Sequence, residues 1–392
     1  MAERDRFELD LADALRAYAQ DAPTQVRPTE IARHFAAAYP HRRTAIGPWR
    51  LVAIPRRAWL MLLLAGLLVA LVGGALLVGS QPERRLPAVV PNLGPAPTCP
   101  PGSTPDEPGP VDQARPVGSK NMAFDRRAGR LVVVVEGGTE LVETWTFDVC
   151  TNTWSRMHPN REPPGPAWKP LVYDIDSDLT LESAYGPDGA PPVKVWVYDL
   201  GADTWTEKVA PTDLTLRAYD PLSGLVLATK DGTGQPERWT YDVETDTWTL
   251  IDQANGPAWH APLAYDASVD RIVAYSRPET WLFDIRTGTW SSSGSETPVV
   301  EPNWAVPTIT YDESAERTVV TGSAGMAAYD AAADRWEVLA RPGELYPNPT
   351  VYDPVNGRLV GFGWEGDVVA FDLVTREWTV LLEPSEGQPS LP

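Results

Sequence analysis

Short runs of alternating apolar and polar residues fill the chain from residue 117 to residue 384. Trp239-Thr-Tyr241-Asp242-Val-Glu-Thr-Asp-Thr-Trp248 shows the pattern most fully. Trp239 and Tyr241 alternate with polar neighbours, so both face one side of a strand. Asp242 opens a turn, where its carboxylate can accept backbone N–H groups a little further on. Trp248 starts the returning strand. The phrase recurs at Trp145–Trp154, Trp196–Trp205 and Trp281–Trp290, and in altered form at Tyr329-Asp330 to Trp336 and Phe371-Asp372 to Trp378.

A second phrase precedes each of these. Phe124-Asp125, Tyr173-Asp174, Tyr219-Asp220, Tyr265-Asp266, Tyr311-Asp312 and Tyr352-Asp353 stand 49, 46, 46, 46 and 41 residues apart. Turn residues follow, as in Asp220-Pro-Leu-Ser-Gly224 and Asp353-Pro-Val-Asn-Gly357. An apolar strand comes next, for example Leu131–Val135 or Arg271–Tyr275. Each unit thus predicts four short strands, and a period of this length marks stacked repeats. Six four-stranded units predict an all-β, six-bladed β-propeller over residues 117–384, with residues 385–392 as a tail. Blade-on-blade packing buries both faces of each sheet and leaves short edges. The repeated Trp and Tyr residues are expected to fill the seams between blades. Whether six units close the ring, or a seventh is missing, stays open at this level.

The order aromatic-Asp, apolar strand, Tyr/Phe-Asp and then Trp resembles the Kelch-repeat propellers, including the central domain of galactose oxidase-like proteins. The resemblance covers residues 117–384. The Gly-Gly doublet of Kelch repeats stands only as Gly137-Gly138; elsewhere that place holds Tyr185-Gly186, Thr229-Lys230 or Gly322-Ser323. The copper chemistry of galactose oxidase is not implied, because it needs a Tyr–Cys crosslink with histidines. The one cysteine of the repeats, Cys150, lies on the face opposite the one that would carry it.

The pattern changes before residue 117. Phe7, Leu11, Leu15 and Tyr18 form one helical stripe, and Thr29 can cap a second short helix carrying Ile31 and Phe35. Residues 1–57 therefore predict a short α-helical stub. Trp59 to Val78 is a run of 20 residues without a charge, long enough for a ~30 Å hydrocarbon core. Residues 58–80 are read as one transmembrane helix. Arg42, Arg43, Arg50, Arg56 and Arg57 precede it, and Arg84 and Arg85 follow. This asymmetry places the N-terminus in the cytoplasm and the repeats outside. A helical stub before a membrane span resembles the cytoplasmic part of bacterial anti-sigma-type regulators, without the zinc-binding His/Cys motif many of them carry. The implied partner is a cytoplasmic regulator bound through residues 5–40.

Residues 82–116 hold 11 prolines in 35 positions. Residues 81–116 are accordingly expected to be a disordered spacer of up to roughly 100 Å. Its Cys99 and the repeat's Cys150 both fall on the outer side, where disulfides persist, and are expected to pair.

Charge narrows the partners. The chain carries a net −20; residues 1–57 hold 10 Arg and 7 acids (+3), and residues 81–392 hold 23 basic and 46 acidic residues (−23). A domain this acidic excludes nucleic acid as the expected partner. The inter-blade connections carry Trp168, Trp259 and Trp304, with Tyr346 in an equivalent place and Trp364 on a strand-two-to-three loop. These loops share one end of the propeller, so the five aromatics form the candidate binding face for an extracytoplasmic protein or glycan. His158 and His260 lie in loops of the same face but have no spaced partner, so no metal or cofactor is expected. Neither a Ser/His/Asp order nor a phosphate-cradling loop stands out, and the turn aspartates are explained by capping, not by calcium. The expectation is a binding module, not an enzyme. The rivals are a transmembrane signalling regulator and an extracytoplasmic enzyme built on the propeller.

Overall fold

The computed structural model describes residues 95–116, 120–136, 141–165, 169–185, 193–230, 237–251, 256–257, 260–300, 307–323, 325–339, 349–362 and 367–384. The predicted stub and transmembrane helix lie outside the described residues. Among those residues, no helix is long and apolar enough to cross a membrane.

Twenty-four strands form six antiparallel four-stranded sheets. Each sheet takes its four strands from one continuous stretch, in the order first-second-third-fourth. Blades 1 to 6 span residues 120–156, 172–208, 214–251, 263–296, 308–339 and 350–382. The first strands of successive blades touch one another right round the molecule, and that of blade 6 returns to that of blade 1. The ring is therefore closed with six blades, the point that the repeat count left open.

Sequence explains each strand's depth. The second strand of blade 1, Arg130–Glu136, is buried throughout Leu131–Val135 because both of its faces meet other sheets. The fourth strands are outer edges and alternate instead, as in Thr247–Ile251.

The hairpin turns follow one chemical rule. The opening aspartate accepts backbone N–H groups two or three residues on, as Asp220 does from Leu222 (2.9 Å) and Ser223 (3.2 Å). The residue before the returning strand then takes a positive φ: Asp178, Asp203, Asp246, Asp270 and Asp334 do so. In these five turns the preceding tyrosine donates its hydroxyl to that aspartate, from Tyr173, Tyr198, Tyr241, Tyr265 and Tyr329, at 2.7–2.9 Å. Where the ring is phenylalanine, as at Phe124, Phe147, Phe283 and Phe371, the positive-φ residue is Gly129, Asn152, Gly288 or Arg376. Three further tyrosines depart from this pairing: Tyr219, Tyr311 and Tyr352 precede Gly224, Glu316 and Gly357, and Tyr219 donates instead to Asp176 of the preceding blade (2.6 Å).

The seams hold the core. In every blade the third-strand Tyr or Phe lies opposite the fourth-strand Trp, and the two rings pack together. Tyr241–Trp248 is the closest pair, with centroids 4.2 Å apart and planes at 15°. The Trp then reaches the preceding blade: Trp205 donates to Thr144 Oγ1 (2.9 Å) and Trp336 to Thr280 Oγ1 (2.8 Å). Closure uses the same contact. Trp154 of blade 1 stacks on Phe362 of blade 6 at 5.0 Å, inside the largest apolar cluster, which joins these two blades.

The spacer expectation is corrected over residues 95–116. This segment is a strap across the seam between blades 1 and 6. Asn152, in the last turn of blade 1, donates its amide to the carbonyls of Pro105 and Glu107, both at 2.8 Å. Gln113 bonds both the Asn152 carbonyl (3.0 Å) and the Trp154 N–H (2.6 Å). On the other side, Gly109 N–H donates to Leu381 O (2.8 Å) and Arg115 to Glu383 O (2.7 Å). Arg358, buried in blade 6, meets Asp106 at 2.7 Å. A side chain at Gly109 would sit 2.0 Å from the Asn152 carbonyl, so only glycine fits that approach. A disulfide joins Cys99 to Cys150, with Cα atoms 5.4 Å apart. Proline content argued against a packed core in this stretch. The strap builds none of its own, because its carbonyls and one cysteine are held by the seam instead.

Candidate functional site

Antiparallel order sorts the loops onto two faces. The turns inside each hairpin lie on one face. The strand-two-to-three loops and the blade-to-blade connections lie on the other. Trp168, Trp259, Trp304, Tyr346 and Trp364 belong by position to the second face, and all five lie outside the described residues. Cys150 is in a hairpin turn on the first face. His158 and His260 are exposed on blade-to-blade connections; the backbone N–H of His158 donates to Asp203, in the third-to-fourth-strand turn of blade 2 (3.1 Å). Among the described residues no three His, Cys, Asp or Glu side chains come together as a metal site.

On the hairpin-turn face, the six first-strand aspartates ring the centre. Each ends its strand and caps the turn that follows. Burial pushes the carboxyls of Asp125, Asp220, Asp266, Asp312 and Asp353 upward, while turn N–H groups or Ser, Thr and Asn side chains pull them back. An ion pair spans this face: Arg126 of blade 1 holds Glu313 of blade 5 through two bonds, at 2.6 and 3.2 Å. Blade 6 lies between these two blades in the ring, so the pair reaches past a neighbour.

The loop face carries two polar groups that sequence reasoning passed over. The first is a carboxylate pair in the seam of blades 1 and 2. Glu162, on the connection between them, accepts the Thr144 N–H (3.3 Å), the Thr144 hydroxyl and Arg156 Nη1 (2.9 Å). Glu182, on the second strand of blade 2, is 1% exposed, and its Oε2 has no partner. It pairs across the ladder with Trp196, which packs against blade 1. Burial, with the nearby Glu162 charge adding to it, pushes the Glu182 carboxyl up to about 8. A glutamate inside the run Leu-Thr-Leu-Glu-Ser-Ala was the signal available in the sequence. A buried acid beside a second carboxylate is a pairing that acid–base chemistry uses, but Glu182 is sealed between blades.

Glu182 has a measurable consequence. Its folded value lies above its ordinary 4.5, so between those limits the folded chain holds a proton that the unfolded chain has released. Its contribution is whole below pH ~4.5, declines as pH rises, and is fully lost above ~8. Glu182→Gln keeps a neutral side chain at every pH. It is expected to raise stability at pH 7 by about 3 kcal/mol and to leave it nearly unchanged at pH 4.5. Urea unfolding at both pH values checks this, and an equal effect at the two would contradict it.

The second group is Arg238, at the start of the third strand of blade 3 (Arg238–Asp242). It is 2% exposed, its guanidinium lies over the Trp290 ring at 5.3 Å, and burial lowers its pKa.

No protein-family model and no curated protein matches the chain. Solved structures resemble it in part at low identity. One is a protein of unknown function from Bacteroides thetaiotaomicron, with a TM-score of 0.48, 13% identity, and coverage of 70% of this chain and 73% of that one. Another is a chain of a nidogen/laminin complex, with a TM-score of 0.48, 12% identity, and coverage of 65% and 93%. The propeller assignment stands on the sheet order and the closed ring of first strands, not on these likenesses.

Proposed function

We propose that the chain is a single-pass membrane protein that holds a Kelch-like propeller outside the cell as a binding module for a protein or glycan. One observation carries the reading. The propeller's closing seam is fastened by a disulfide, and disulfides persist in oxidising compartments. The 20-residue apolar run from Trp59 to Val78, with its arginines concentrated before it, supports the same topology. Binding is favoured at the loop face. Hairpin-turn side chains are committed to capping, whereas the opposite loops vary in length and carry the five aromatics.

The test is a screen of the chain's outer segment against glycan and cell-wall arrays, beside a Trp168→Ala/Trp259→Ala/Trp304→Ala variant. The expected result is a ligand retained by the parent and lost, by at least tenfold in affinity, in the variant. A ligand bound equally by both would move the site off this face. A second reading has its own support in the amphipathic stripe of residues 5–18. In it the propeller senses and the stub binds a cytoplasmic regulator. Capture of one specific partner by residues 5–40 is its expected mark.

A further inference from the structure

Among the described residues two arginines are buried, Arg238 and Arg358, and the second is answered by acids. Arg358 meets Asp106 at 2.7 Å and Asp353 at 3.6 Å. Arg238 is as deeply buried, yet its Nη1 has no partner, and among the described residues no carboxylate lies within ion-pair reach of it. Residues 81–392 hold twice as many acids as bases, 46 against 23, so this vacancy in the pairing is not for want of carboxylates. A cation buried without a counter-charge is costly.

The surroundings are built around the guanidinium. Trp290 of blade 4 supplies a ring face. Gly256, on the connection to blade 4, has φ +141°, and a Cβ there would come within 2.6 Å of Nη2 and 2.9 Å of Trp290. Only glycine leaves Arg238 its place. Thr229 is the ladder partner of Arg238, and its Oγ1 accepts Arg217 Nε at 2.8 Å. Arg217 is the extra residue of a bulge in the first strand, where the register shifts between Leu227 and Ala228. Bulges re-aim side chains, and this one brings a second guanidinium to the row of the first.

We propose that Arg238, with Arg217 and Thr229 beside it, forms a site for one oxyanionic group in the seam of blades 3 and 4 near the loop face. A guanidinium fork matches the oxygens of a carboxylate, sulfate or phosphate with two parallel bonds. The oxyanion supplies the counter-charge that no described carboxylate provides. The proposal stands on the surroundings of Arg238 alone. Its failure would leave the binding-module reading where it was.

The test uses the full chain in detergent at pH 7, with melting followed by tryptophan fluorescence. Sodium sulfate, phosphate or acetate is titrated from 0.1 to 20 mM, with sodium chloride holding the ionic strength constant. The expected result is a saturable rise in Tm of roughly 4 °C with at least one of the three. A rise with acetate alone marks a carboxylate site, and a rise with sulfate or phosphate marks a tetrahedral one. Arg238→Met is expected to melt no lower than the parent in chloride and to lose the rise. Arg238→Lys keeps the charge without the fork and serves if the methionine variant does not fold; its rise is expected to fall by at least half. A parent with no saturable rise, or a rise that survives either replacement intact, would overturn the site.

Discussion

Replacing both Cys99 and Cys150 by serine is expected to cost about 4 kcal/mol of stability, the chain-entropy value for a loop of 51 residues. The size follows from where the bond sits. Many ring proteins could be closed by sharing strands between the first and last blade, but here every blade is one continuous stretch. Closure therefore depends on side-chain packing between blades 1 and 6, on the strap, and on this single covalent tie. Without it, residues 95–98 lose their tether, and the strap is held by the non-covalent bonds of Asn152, Gln113, Gly109, Arg115 and Arg358. For a domain of this size the loss corresponds to roughly 10 °C in Tm. Urea unfolding of the parent, with and without reductant, and of the double serine variant checks it. The reductant should reproduce the variant's loss in the parent and do nothing to the variant. An unchanged midpoint would mean that the seam closes without the bond.

Trp154→Ala is expected to cost 3–5 kcal/mol, within the usual range for deleting a buried aromatic (~3–5 kcal/mol). The ring is 8% exposed. It stacks on Phe362 across the closing seam at 5.0 Å, packs on Phe147 at 4.9 Å, and meets Trp145 edge-on at 6.5 Å. Among the described residues Trp336 shares the arrangement, with Tyr275 across its seam at 6.1 Å, but has one ring neighbour in its own sheet, Tyr329, where Trp154 has two. Trp248→Ala makes the comparison. Trp248 stacks more closely on Tyr241, yet it is half-buried, so about 2 kcal/mol is expected. The order of the two losses is the decisive outcome. Equal losses would mean that each blade's own Tyr/Phe–Trp stack, and not the closing seam, carries the stability. A double-mutant cycle with Phe362→Ala isolates the seam contact, and a coupling of about 1 kcal/mol is expected.

Much of this architecture was legible in the chain. The aromatic-Asp spacing counted the blades because each blade must begin with a strand and a capped turn. The Trp-x-Tyr-Asp phrase located the seam rings because ladder pairing places Tyr241 against Trp248. Asp246 and its equivalents were legible as turn formers but not as acceptors for the tyrosine hydroxyl five residues earlier. That bond exists only once the turn adopts positive φ. The strap was hidden for a different reason. Its anchoring groups are backbone carbonyls of Pro105 and Glu107, which composition does not record. Ring closure was equally hidden, because it is a contact between residues more than 200 positions apart. Glu182 and Arg238 lie in strands, where a charge usually marks an exposed position. Their burial follows from neighbours that only the assembled ring supplies. The five loop aromatics were proposed from their place on blade-to-blade connections or, for Trp364, on a strand-two-to-three loop, and all five lie outside the described residues.

The proposal of a propeller fastened outside the cytoplasm is tested most directly by one measurement. The chain would be recovered from the cells that make it with free thiols alkylated at once, then digested and mapped by mass spectrometry without reduction. The expected result is a peptide containing Cys99 joined to one containing Cys150, with no alkylated cysteine. Recovery of both cysteines as alkylated thiols would contradict the strap's covalent closure and remove the main support for an extracytoplasmic propeller.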